Sequence, residues 1–173
     1  MKKIFAISGS TKTSSTNGLY ISAISQLLGK DFEVSIFPTI ADVPHFNPDL
    51  DLADPPKVVY DLRKTIQEAD GIIISTPEYA MGLPGSLKNL LDWTVSAASF
   101  SDKSVLVLVA STQGEKAYES IIDILTVLEA KISSQLIPFA KAKINHNAEI
   151  TDHETLTKLK STVHAFVATV ENG

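Results

Sequence analysis

Five short apolar runs, each followed by a helical pattern, set the class of this chain. The runs are Lys3–Ser8, Phe32–Phe37, Gly71–Ser75, Lys103–Ala110 and Ser134–Ala140. Four are rich in Val, Ile or Phe, as strands covered on both faces are, and the last is less uniform. Between and after them run apolar stripes at helical spacing. Tyr20, Ile24, Leu27 and Leu28 make the first; Val59, Leu62, Ile66 and Ala69 follow the Pro55-Pro56 start signal. Leu87, Leu90, Leu91, Thr94, Val95 and Ala98 make a third stripe, and Ala117, Ile121, Ile124, Leu125 and Leu128 a fourth. Leu156, Leu159, Val163, Phe166, Val167 and Val170 make the last. Strands alternating with helices imply an α/β, doubly wound parallel sheet with helices on both faces. Right-handed crossovers and strand order 2-1-3-4-5 are expected. The order then reverses between the first and third strands, so a ligand belongs over the loops that follow them.

The 173 residues suit a single domain over 1–173, with roughly 70% of the unfolded chain's surface buried on folding. A net charge of −5 argues against a broad nucleic-acid surface. No cysteine is present, which excludes disulfides, thiolate metal sites and cysteine nucleophiles. The four histidines, His45, His146, His153 and His164, show no metal spacing. The apolar run after Lys2-Lys3 ends at Ile7, too short for a signal-peptide core, and no run is long enough to span a membrane. A cytoplasmic protein is expected. The connection Pro38–Pro55 is long, proline-rich and acidic, with Phe46 in its middle, and reads as an ordered rim.

The first strand runs into Gly9-Ser10-Thr11-Lys12-Thr13-Ser14-Ser15-Thr16-Asn17 and then into a helix. Hydroxyls, one cation and free N–H groups at a helix N-terminus make an anion site. The same residues admit a plainer reading, with Asn17 or Thr16 only capping the helix. A Walker A loop needs a glycine where Thr11 stands, and the G-x-G-x-x-G fingerprint is absent. The second strand ends in Ile36-Phe37-Pro38, with no acid to hold a ribose. A receiver domain would need acids where Gly9-Ser10 and Ser75-Thr76 stand. No G-x-S-x-G elbow occurs, so no hydrolase is indicated. A monophosphate cradle remains. After the third strand, Thr76–Gly85 (TPEYAMGLPG) holds its backbone with Pro77, Gly82, Pro84 and Gly85 and offers Tyr79 and Met81 to a flat ring. Ala110–Gly114 adds hydroxyls on the same rim. On their own these two loops read first as a rigid turn and a polar connection.

Gly9-Ser10-x-Lys12-x-x-Ser15-x-Asn17 resembles the phosphate loop of the NADPH-dependent FMN reductase family, and residues 76–93 (TPEYAMGLPGSLKNLLDW) resemble its second motif. The resemblance implies a flavodoxin-like fold, bound FMN and NADPH or NADH as co-substrate. Ser10, Lys12, Ser15, Thr16 and Asn17 would hold the FMN phosphate. Pro77, Glu78, Tyr79 and Ala80 would line the isoalloxazine, with Ser111, Thr112, Gln113 and Gly114 on its other side. The chain departs from the family at three places: Lys12 replaces a usual arginine, Ala80 a frequent asparagine, and Gln113, Glu115 and Lys116 a glycine-richer loop. Lysine keeps the charge but loses the bidentate fork. The activity implied is hydride transfer from NAD(P)H to a small acceptor such as free flavin, a quinone or an azo compound, with no catalytic acid or base. A flavodoxin-type electron carrier and a flavin-independent binding protein of the same fold are the alternatives. The family implies a homodimer or homotetramer. Trp93, off the core stripe of its helix, fits either a partner surface or a cover from its own chain.

Overall fold

A single five-stranded parallel sheet organises the computed structural model, which describes residues 1–51 and 54–173. In chain order the elements are β1 (Lys2–Ser8), α1 (Thr16–Leu28), β2 (Phe32–Ile36), α2 (Pro48–Asp51), α3 (Lys57–Glu68), β3 (Gly71–Thr76), α4 (Gly85–Asp92), β4 (Ser104–Ala110), α5 (Glu115–Val127), β5 (Lys131–Ile137) and α6 (His153–Glu171). Short 3-10 turns occupy Ile40–Asp42 and Ala140–Lys143. The strand order is β2-β1-β3-β4-β5, as expected. Among the described residues no helix is long and apolar enough to cross a membrane.

The central strands are buried on both faces, and their alternation sorts side chains into two layers. Ile72 and Ile74 of β3, with Val105, Val107 and Val109 of β4, face α3, α4 and α5. Ile73, Leu106 and Leu108 face α1 and α6, where Tyr20, Ile24, Leu159 and Phe166 meet them. The edge strands behave differently. β2 keeps Ile36 half-exposed at 54%, and β5 buries only Gln135 and Ile137, so the expectation of double cover holds for the inner strands alone.

Two expectations need correction, and the two readings of Trp93 are decided. The fifth strand spans Lys131–Ile137 rather than 134–140, because Pro138 has no N–H to donate to the ladder and the chain turns there. The helix of the third stripe, α4, stops at Asp92, so Thr94, Val95 and Ala98 lie in turns. Its next carbonyl, that of Trp93, accepts the Arg63 Nε–H at 2.7 Å and so is taken from the helix ladder. Trp93 does not face a partner. It is fully buried, donates its indole N–H to the Pro44 carbonyl at 2.8 Å, and meets Phe46 edge-on at 5.1 Å. The cover is the chain's own long connection. The described part of Pro38–Pro55 is pinned further by Asn89, whose Oδ1 accepts the Phe46 N–H at 2.7 Å, and by the buried Arg63–Asp51 ion pair. Leu52 and Ala53 of that connection lie outside the described residues.

Candidate functional site

β1 and β3 lie side by side and their loops part at the sheet's C-terminal edge, which opens the crevice. Gly9 is required there. Its N–H donates to the Ser75 carbonyl at 2.7 Å, and a Cβ on it would stand 2.3 Å from Thr76 Oγ1. A cavity of about 670 Å³ lies beyond, a size usual for small-molecule sites.

The α1 N-terminus forms one wall. Ser15, not Thr16 or Asn17, is the N-cap, and its Oγ accepts the Gly18 N–H at 3.0 Å. The first intrahelical bond runs from Leu19 to Ser15, so the N–H groups of Thr16 and Asn17 precede the ladder. Lys12 is exposed and takes part in none of the ion pairs of the described residues. Its backbone N–H is held by Ser10 Oγ at 3.2 Å, which ties the loop's shape to its hydroxyl. Asn17 is committed elsewhere by its side chain. Its Nδ2 donates to the Ala110 carbonyl and its Oδ1 accepts the buried Ser75 hydroxyl, joining the ends of β3 and β4 to α1. What Asn17 offers an anion is therefore its backbone N–H.

The loop after β3 supplies Pro77, Glu78 and Tyr79 to the cavity. Tyr79 and Gly82 exchange both backbone hydrogen bonds around Ala80 and Met81, whose φ angles are +48° and +59°. Both central residues are left-handed, as in the two-residue turn that favours Asn-Gly. Asparagine or glycine tolerates that conformation, whereas Ala80 bears a strain of about 1 kcal/mol. Tyr79 and Met81 are exposed at the turn, as expected.

Glu78 has a role no local signal announced. Its Oε2 accepts the N–H groups of Lys116 and Ala117 at 2.9 and 3.0 Å, and so caps α5, whose own N-cap, Gly114, has no side chain to do so. Gly114 is fixed by space and conformation: φ is +118°, and a Cβ would meet Leu136 at 2.8 Å. Ser111 is a junction. Its Oγ accepts the Glu78 N–H at 3.2 Å, while its carbonyl accepts the Ala140 N–H at 3.0 Å.

Thus Ser10, Lys12, Ser15, Thr16, Asn17, Pro77, Glu78, Tyr79, Ser111 and Thr112 come together around one cavity. Ala80, Gln113 and Gly114 stand outside its wall. Sequence reading missed Ser14, Leu19 and a second wall made by Phe139–Ala142 and Ile144–His146. Tyr20 joins the two walls: its hydroxyl donates to the Ala140 carbonyl at 3.1 Å, and burial, helped by the Asp152 charge, pushes the phenol far above its ordinary range.

The family model for NADPH-dependent FMN reductase matches residues 2–143. The chain belongs to that family. Among relatives of this FMN reductase, a quinone reductase of Escherichia coli K12 is 28% identical over 95% of this chain and 93% of its own length. An NADH-dependent flavin reductase subunit 2 of Lactobacillus johnsonii is 32% identical over 95% and 91%. The structure of FerB, a flavoenzyme NAD(P)H:(acceptor) oxidoreductase from Paracoccus denitrificans, superposes with a TM-score of 0.81, covering 99% of this chain and 98% of FerB at 27% identity. The protein is accordingly an NAD(P)H-dependent flavin oxidoreductase with a flavodoxin-like fold and FMN as its cofactor. The donors present fit that cofactor. Free N–H groups, hydroxyls and an unpaired lysine suit a phosphate monoester, and the hydrogen-bonded Pro77–Tyr79 and Ser111–Thr112 loops beside them suit a flat polar ring.

Proposed function

We propose that this FMN reductase passes a hydride equivalent from NAD(P)H to a small acceptor of the free-flavin, quinone or azo class, with the 1–173 chain acting as one FMN-binding unit. The observation that carries the reading is the unpaired Lys12 beside the open α1 N-terminus, on the same cavity as Tyr79 and Ser111. In this reading Ser10, Lys12, Ser15 and Thr16 hold the phosphate by side chain or N–H, and Asn17 by its N–H alone. Pro77 and Tyr79, held by the turn at Ala80, set one edge of the ring; Glu78 fixes that loop to α5, and Ser111 and Thr112 border the other edge. FMN, when bound, supplies the hydride chemistry; the protein supplies position and a shaped, partly dry cavity. No side chain is asked to hold or move a proton, so the rate of flavin reduction should stay flat between about pH 6 and 8, where an unperturbed histidine titrates. Donor and acceptor use one open side in turn, which gives parallel double-reciprocal lines.

Titration of the apoprotein with FMN and with riboflavin tests the reading. FMN should bind more tightly, and the purified protein should show a flavin absorbance spectrum. Equal affinities would remove the phosphate cradle and, with it, the argument.

Self-association belongs to the same reading. Val95 and Val127 are exposed at 54% and 79% beside Leu91, Ile124 and Leu128, in an apolar groove between α4 and α5 flanked by Lys88, Asp92 and Asp123. A second copy of the chain suits a groove with both signs of charge at its rim. Sedimentation of the wild type and of Val127→Glu should give an oligomer and a monomer; a wild-type monomer at micromolar concentration would end the idea. A cytoplasmic location belongs to the same proposal, since NAD(P)H is available there; cell fractionation tests it.

A further inference from the structure

The wall that follows β5 carries a feature the flavin site does not explain. Phe139 is 64% exposed, while the other six phenylalanines are buried or half-buried. Its φ is +53°, a left-handed conformation that a bulky side chain rarely adopts. Strain of this kind persists where surrounding structure imposes it, and it clusters at functional sites. The imposing contacts are visible. The Phe139 N–H donates to the Thr112 carbonyl at 3.1 Å and the Ala140 N–H to the Ser111 carbonyl at 3.0 Å. The turn after Pro138 is thereby stapled to the loop after β4. That same loop receives the Glu78 N–H on Ser111 Oγ, one residue from Tyr79. Tyr79 is itself 52% exposed. Two exposed aromatic rings are thus carried on either side of one loop, and both line the same cavity.

We propose that Phe139 is the stacking surface for the electron acceptor and selects planar aromatic acceptors, quinones above all. The proposal rests on the reading of the cavity as an FMN site. Tyr79 lies on the loop assigned to the flavin edge. Phe139 lies on the segment after β5, a wall that carries none of the groups assigned to the phosphate, so its apolar ring is left for the second reactant. An exposed aromatic ring presents a flat face to a conjugated molecule and little to a compact hydrated ion. The reaction served balances as NAD(P)H, one proton and a quinone giving NAD(P)⁺ and the hydroquinone; Phe139 takes part only by holding the quinone.

The test uses the holoenzyme with menadione as a planar acceptor and ferricyanide as a compact anionic one. Phe139→Ala should raise the menadione KM about three- to tenfold, the size of a lost aromatic stack, and so raise the ratio of menadione KM to ferricyanide KM. Phe139→Trp should restore the menadione KM, and Phe139→Leu, apolar but not flat, should not. FMN affinity should follow the wild type in all three. A parallel rise in both acceptors' KM, or a fall in FMN affinity matching the rise in KM, would overturn the assignment and place Phe139 at the mouth in general or at the cofactor. Failure of the wild type to take up FMN would instead break the functional reading itself, and the acceptor assignment with it.

Discussion

The wall of the cavity on the α1 side is assembled from neighbours in sequence, whereas the wall after β5 is assembled from tertiary contacts. Ser10 to Asn17 form a loop and a helix start, and their chemistry follows from local rules: a cap, free N–H groups and a cation. Phe139 to His146 hold one short local element, the 3-10 turn Ala140–Lys143, and are otherwise positioned from outside. They are placed by the Thr112 and Ser111 carbonyls, by the Tyr20 hydroxyl, and by a small antiparallel bridge between Ile144 and Ile150. The comparison teaches that the donors suited to an anion are set locally, while the shape of the far wall belongs to the packed fold.

The sharpest way to break this contrast is at Gly9, where a local residue meets a tertiary limit. Gly9→Ala puts a Cβ against the fully buried Thr76 side chain, which cannot retreat. We expect a loss of about 3 kcal/mol in urea unfolding together with weakened flavin binding. Gly82→Ala is the control, since nothing lies within 4 Å of its Cβ. Equal stability of the two variants would show that the strand ends yield easily.

Lys12→Ala probes the local wall alone. Lys12 is exposed and unpaired, so the fold should be untouched while FMN affinity falls by about 1.5–3 kcal/mol, the worth of a charge-assisted hydrogen bond. Unchanged affinity would return Lys12 to the surface.

The two walls were unequally legible. The sheet order, the three loops that flank the crevice and the family motif were readable because each is a periodicity or a short run of residues with its own physics. Ser15 as the N-cap was also within reach, since serine favours that position, but so do the threonine and asparagine beside it. The far wall was hidden by a shift of three residues: reading 134–140 as the strand turned Phe139 and Ala140 into sheet, although Pro138 marked the stop. Trp93 and Glu78 were ambiguous for another reason. Their partners, Pro44 and the N-terminus of α5, lie 49 and 38 residues away, and no spacing rule reports such a distance.

Glu78 tests whether one loop can serve both walls. Glu78→Ala leaves the Lys116 and Ala117 N–H groups without their acceptor, and should cost about 1 kcal/mol of stability, the usual worth of a helix cap. Glu78→Gln keeps an acceptor oxygen and should recover most of it, losing only the charge–dipole part. If Ala and Gln behave alike, the contact is not a cap. Chemical denaturation at neutral pH separates them.

The smallest expected effect lies at the bridge between the walls. Tyr20→Phe removes one hydroxyl bond to the Ala140 carbonyl and should cost about 1 kcal/mol at neutral pH. Its pH signature is more telling than its size. Burial raises the folded phenol's pKa above the ordinary value, so above about pH 10 the unfolded chain releases this proton while the folded chain retains it. The stabilisation is therefore fully present below that pH and is lost as pH rises further. Lysines titrate in the same range, but they are shared by wild type and variant. The difference in unfolding free energy between wild type and Tyr20→Phe should accordingly be constant from about pH 7 to 9 and shrink above 10. A difference that stays constant through pH 11 would mean that Tyr20 ionises as freely in the folded protein as in the unfolded one. The buried link from α1 to the far wall would then be open to water.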